Sequence, residues 1–102
     1  MKLKNKFNDN TRALFIFETT CWNCGRPNPE LHHILGRVSD SPLNAYPLCQ
    51  EYCHSKHIEM KSENNIRKFL KQTIKFLCDP NNNYDFTKKD IEFYREHIKY
   101  YE

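Results

Sequence analysis

The chain has 102 residues, 38% hydrophobic and 28% charged, which supports one modest core and excludes two independent domains. No run approaches the roughly 20 apolar residues of a membrane span; the longest, Ala13-Leu14-Phe15-Ile16-Phe17, has five. Sixteen Lys and Arg against thirteen Asp and Glu give a net charge of +3, spread evenly as eight against six over residues 1–61 and eight against seven over 62–102, so bulk charge does not by itself announce a nucleic-acid binder.

The start, Met1-Lys2-Leu3-Lys4-Asn5-Lys6, is basic like a signal peptide but lacks the apolar segment of roughly 7–15 residues that must follow. A cytoplasmic location is the expectation. Five cysteines in a chain without an export signal favour metal binding over a disulfide framework, and the odd count argues against full pairing.

In chain order, Asp9 or Asn10 is placed to cap a short helix over residues 11–17, although so aromatic a run also suits a strand. Residues 24–29, with Gly25, Pro27 and Pro29, predict a tight turn, and Glu30-Leu31-His32-His33-Ile34 a short strand. Gly36 to Asn44 has the composition of an exposed loop, and Ala45-Tyr46-Pro47-Leu48 of a returning strand with its proline on an edge.

Residues 49–61 suit a helix. From Glu63 to Cys78, Ile66, Phe69, Leu70, Thr73, Ile74 and Leu77 recur at helical spacing, and Asp79-Pro80-Asn81-Asn82-Asn83 ends that helix. Thr87 to Asp90 resembles a capping box, followed by Ile91, Tyr94, Ile98 and Tyr101 on one face of a last helix. The last forty residues thus predict a helical hairpin with Phe69, Phe76, Phe93 and Tyr94 as its core.

Four of the five cysteines and four of the five histidines lie between residues 21 and 57. Cys21-x-x-Cys24 and Cys49-x-x-x-Cys53 can surround one Zn²⁺ tetrahedrally, the thiolates matching a borderline-soft ion. Pairing Cys21 and Cys24 with His54 and His57 is the minor alternative, because it strands Cys49 and Cys53. Cys78 is expected to be an ordinary buried cysteine. A four-thiolate zinc site lowers the formal charge to about +1, so phosphate affinity has to come from local placement.

The combination of Cys21-Trp-Asn-Cys24-Gly25, Leu31-His32-His33-Ile34, Asn44 and Leu48-Cys49-x-x-x-Cys53-His54-x-x-His57 resembles the HNH endonuclease family over about residues 12–61. The resemblance implies a zinc-clamped ββα-metal motif; together with the amino-terminal short helix and the carboxy-terminal helical extension over 62–102, which lies outside the resemblance, the expectation is an α+β fold in one domain of 1–102. The resemblance also implies that His32 and His54 hold a divalent metal, that His33 is the general base, and that Asn44 holds the loop that orients it. His57 is a further candidate ligand, although family members often place that residue one position later, and Cys49-x-x-x-Cys53 has one more intervening residue than is usual. A strand alternates its side chains, so two neighbouring histidines share a site only where the strand is twisted.

The residue types suit the chemistry independently. Attack on a phosphodiester anion needs a cation on the non-bridging and leaving oxygens and a base for the nucleophile, and neutral imidazole is the side chain fitted to take a proton at neutral pH. The resemblance implies Mg²⁺, Mn²⁺ or another divalent ion as the catalytic cofactor, and DNA as substrate and partner. Arg26, Arg37 and Lys56 are natural phosphate contacts. Trp22 and Tyr46 are better suited to packing than to stacking on a base.

The competing class is a zinc-stabilised nucleic-acid- or protein-binding module without catalysis. Within the nucleases, a junction-type enzyme dimerising through the carboxy-terminal helices is a variant. The abundance of Lys, Asn and Ile suits a phage or AT-rich bacterial genome.

Overall fold

The structure, a computed structural model, describes residues 7–50, 52–53 and 56–101, except the side chains of His57 and Ile58. The basic start, residues 1–6, lies outside the described residues, as does His54. The fold is α+β, with a two-stranded antiparallel sheet and helices packed around it.

Helix α1 spans Asp9–Leu14, and its cap is Asn8 rather than Asp9 or Asn10: the Asn8 carboxamide oxygen accepts the Thr11 N–H at 2.9 Å. Asp9 instead lies in the first turn, where a carboxylate meets the positive end of the helix dipole. The apolar run divides at the helix end, with Phe15 turned inward and Ile16 and Phe17 exposed.

Strand β1 (Pro29–His33) pairs with β2 (Ala45–Cys49) in a register that sets Pro29 against Cys49 and His33 against Ala45. Every residue of β2 is buried. Its outward carbonyls are satisfied from elsewhere: Thr73 Oγ1 donates to Ala45 O at 2.7 Å and Trp22 N–H to Pro47 O at 3.1 Å. Pro47 is tolerated because a two-stranded sheet has only edge strands.

The segment before β2 corrects the expectation of an exposed loop. Residues 36–40 fit it in part, but Ser41 to Asn44 are buried, and Pro42–Asn44 forms a 3₁₀ turn wedged against the later helices. Ser41 fixes it there, its Oγ donating to Asp90 Oδ1 at 2.6 Å.

The helix expected over 49–61 is also corrected. Among the described residues of that span only α2, His57–Met60, is α-helical, with Lys56 in a 3₁₀ turn before it, and Tyr52 and Cys53 lie in a turn. The Cys53 N–H donates to the Cys49 sulfur at 3.2 Å, so the thiol takes the place of the i−4 carbonyl that a helix would require.

Helix α3 (Glu63–Cys78) has the expected bounds, capped by Ser62, and buries Ile66, Phe69, Leu70, Thr73 and Leu77. Tyr46 of β2 stacks on Phe69 at 4.0 Å between ring centroids. Cys78 is exposed, not buried: Leu77 occupies the inward position, and the next residue is rotated about 100° away from it. Phe76 faces Phe15 and Trp22 rather than the last helix.

Helix α4 (Lys88–Glu96) begins with the predicted capping box of Thr87 and Asp90. Its inward residues are Asp90 and Phe93, and Ile91 is exposed. The expected face of Ile91, Tyr94, Ile98 and Tyr101 does not form, because the helix stops at Glu96 and Ile98–Tyr101 is a 3₁₀ turn. That turn makes the return to α3, while α4 packs on the 42–44 turn. Among the described residues no helix is long and apolar enough to cross a membrane.

Candidate functional site

Gly25, at φ +83°, lets the chain reverse between the first two cysteines and Arg26. The Gly25 N–H donates to Cys21 O at 2.9 Å and the Cys21 N–H to Arg26 O at 2.7 Å. The Trp22 N–H on Pro47 docks this knuckle against β2, and the Trp22 ring packs edge-on against buried Tyr46 at 5.4 Å. Both aromatics pack, as their residue types favour.

This places the sulfurs of Cys21, Cys24, Cys49 and Cys53 within 4.8 Å of one another. Cys21 and Cys53 are 3.7 Å apart and Cys24 and Cys49 3.5 Å, against a sulfur–sulfur edge of about 3.8 Å for a tetrahedron with bonds of about 2.3 Å. N–H groups face the sulfurs: Asn23 N–H is 3.4 Å from Cys21 Sγ and Asn23 Nδ2 3.3 Å from Cys53 Sγ. The four cysteines could therefore hold one metal ion.

The thiols differ in acidity. The Arg26 backbone N–H holds Cys24 down to about 6, whereas burial pushes Cys53 up to about 12. A bound cation reverses the burial penalty, since metal ligation takes thiolates. The hydrogen bond to the Cys24 sulfur, reinforced by the charge of the thiolates, raises Arg26 above its usual range.

The register puts the histidines at the other end of the hairpin. Cys49 and His33 lie at opposite ends of the ladder, four residues or about 13 Å apart at 3.3 Å each. His32 is buried opposite Tyr46. The partly buried His33 ring stacks on Phe7, centroids 3.8 Å apart and planes 11° from parallel, with Nε2 3.4 Å from Asp40 Oδ1. After the cysteines the chain returns to this end at Lys61, whose Nζ donates to His33 O at 3.1 Å.

Burial holds the His33 imidazole below its usual value; Asp40 opposes this, and Arg37 and Lys61 reinforce it. Neutral imidazole, the form that can accept a proton, is thereby favoured near pH 7.

Asn44 is fully buried and satisfies three backbone groups of the turn after His33. Its Oδ1 accepts the Leu35 N–H at 2.8 Å, and its Nδ2 donates to Gly36 O and Ser39 O, each at 2.9 Å. The turn that carries Asp40 is thus fixed to the strand that carries His33. His54 lies outside the described residues; His57 opens α2, but its side chain is not described.

Of the three candidate phosphate contacts, Arg37 is exposed on the loop after His33, and Arg26 and Lys56 are exposed at the cysteine end. Phe7, Asp40, Lys61 and Tyr52 join the site without a signal in the sequence, because none is a specified residue of a motif or stands at a diagnostic spacing; Asn23 lies within the Cys21-x-x-Cys24 motif, but its contact with Cys53 is not legible there. Comparison of the chain with known protein families, with curated proteins and with solved structures finds no match.

Proposed function

We propose that this protein is a metal-dependent DNA endonuclease of HNH type, carrying a structural Zn²⁺ on Cys21, Cys24, Cys49 and Cys53. The observation that carries the reading is the Asn44 carboxamide, which ties the turn after His33 to its strand and so presents a neutral-biased imidazole beside Arg37 and Lys61.

In this reading His33 takes a proton from water, the resulting hydroxide forms the new bond to phosphorus, the P–O3′ bond breaks, and the departing 3′ oxygen takes a proton from solvent. The products are a 5′-phosphate and a 3′-hydroxyl. His32 and His54, with His57 as a further candidate, would hold a divalent ion such as Mg²⁺ or Mn²⁺, which would supply charge stabilisation to the phosphate and leaving oxygens. Arg26, Arg37 and Lys56 bind backbone phosphates, positioning the strand without reading its sequence.

The four-thiol cluster by itself also suits a second reading, a zinc-stabilised binding module without catalysis. Metal-stripped protein reloaded with zinc, wild type and His33→Ala, is incubated with supercoiled plasmid and Mg²⁺, Mn²⁺ or Ni²⁺. Nicking by wild type alone, at equal zinc content, is the expected result. Equal cutting by both proteins removes His33 from the mechanism, and no cutting of plasmid, single-stranded or branched DNA leaves the binding module.

A further inference from the structure

Two exposed cations from separate segments converge on one exposed ring at the cysteine end of the hairpin. The Arg26 guanidinium carbon lies 4.1 Å from the Tyr52 ring centroid, and Lys56 Nζ lies 4.5 Å from it. The two charges are therefore separated by less than the Debye length of about 10 Å at 0.1 M salt, and they repel.

Among the described residues neither is ion-paired with a carboxylate; the ion pairs join Arg12 to Asp9, Arg67 to Glu63 and His33 to Asp40. Glu59 bears on Lys56 only from a distance. Cys24 anchors one side of the Arg26 guanidinium, which has five donors to offer. A cation over an aromatic face is held in place without its charge being neutralised.

We propose that Arg26, Tyr52 and Lys56 form a clamp for one backbone phosphate of a bound nucleic-acid strand, with Tyr52 as the positioning residue that holds both cations. The choice of nucleic acid rests on the function proposed above. The clamp lies beside the cysteines, at the end of the ladder opposite His33, so it grips the strand away from the scissile bond.

The test is binding of a fluorescein-labelled duplex and the corresponding single strand by zinc-loaded protein, followed by anisotropy over a range of salt concentrations. Lys56→Ala is expected to weaken binding about tenfold, the loss of one charge-assisted contact, and to reduce the slope of log K against log salt by about one. Tyr52→Leu is expected to do the same, while Tyr52→Phe, which keeps the ring but loses the hydroxyl's hydrogen bond with Lys56, is expected to bind more tightly than Tyr52→Leu. Zinc content measured on each variant separates loss of the clamp from loss of the fold beside Cys53. Lys56→Ala and Tyr52→Leu that bind like wild type with an unchanged slope overturn the clamp, as does a wild type that binds neither probe. Variants that bind weakly beside a wild type that never cuts leave the clamp standing and remove the nuclease. Metal- and His33-dependent cutting with normal binding by the variants does the reverse.

Discussion

The side-chain oxygen of Asn44 accepts the backbone N–H of Leu35 at 2.8 Å, joining the last residue before β2 to the turn that follows His33. Its amide nitrogen closes the same turn through Gly36 and Ser39. A fully buried carboxamide with all three partners on backbone cannot be replaced by a group of another shape. Asn44→Ala is expected to cost about 3 kcal/mol, since each buried polar group left unmatched costs about 1–3. Urea unfolding of zinc-loaded protein measures it; a loss within about 0.5 kcal/mol, the range of neutral surface changes, would show that water replaces the side chain.

The four thiols predict one zinc ion per chain. Structural zinc contributes about 10–16 kcal/mol in small zinc-finger peptides, so Cys49→Ser is expected to lose both the metal and the cooperative unfolding transition. Metal analysis and the absorption spectrum of the Co²⁺-substituted protein check this, a tetrathiolate site giving intense visible bands. Stoichiometric zinc retained by Cys49→Ser would assign the ion to other ligands.

Phe7 covers one face of the His33 ring. Phe7→Ala removes a buried aromatic, a change that costs about 3–5 kcal/mol in well-packed cores, and it frees the imidazole to turn away from Asp40. Cleavage is expected to fall roughly tenfold to a hundredfold, the cost of small misplacement of a catalytic group, with zinc content unchanged. Single-turnover rates at saturating DNA decide it. A wild-type rate means that Asp40 and the backbone suffice to hold the ring.

Burial lifts the Tyr46 phenol above the usual tyrosine range, and burial together with Asp90 does the same to Tyr84. Above the ordinary value near 10, the unfolded chain releases these protons while the folded protein keeps them. The folded state then binds more protons than the unfolded one, so stability is complete below about pH 10 and declines as pH rises beyond it. Denaturant midpoints of wild type measured from about pH 9 to 11 are expected to fall, and those of Tyr46→Phe to fall less steeply. Parallel curves would place the alkaline sensitivity elsewhere.

Several elements were legible because their determinants are local. The bounds of α3 follow from a helical apolar stripe ending at Asp79-Pro80, and the start of α4 from Thr87 and Asp90, since caps and periodicity act within one or two turns. The grouping of the four cysteines was legible for a related reason: paired thiols at short spacing can satisfy one tetrahedral ion with little freedom in how the chain closes.

The sequence by itself therefore determined the α+β class, the hairpin between the cysteine pairs, α3 and the capped start of α4, and the cysteine cluster. Tertiary structure decided the rest, because these features depend on groups distant in the chain. Ser41 to Asn44 look like loop by composition, but Ser41 finds Asp90 at 2.6 Å and the turn is buried. A helix after Cys49 is favoured by composition, but the Cys49 sulfur captures the Cys53 N–H. His33 acquires Phe7, Asp40 and Lys61, and Arg26 and Lys56 meet over Tyr52, only when segments far apart in sequence are brought together. Hydrogen bonds and ring contacts of that kind have no period and leave no local trace, so only the folded chain reveals them.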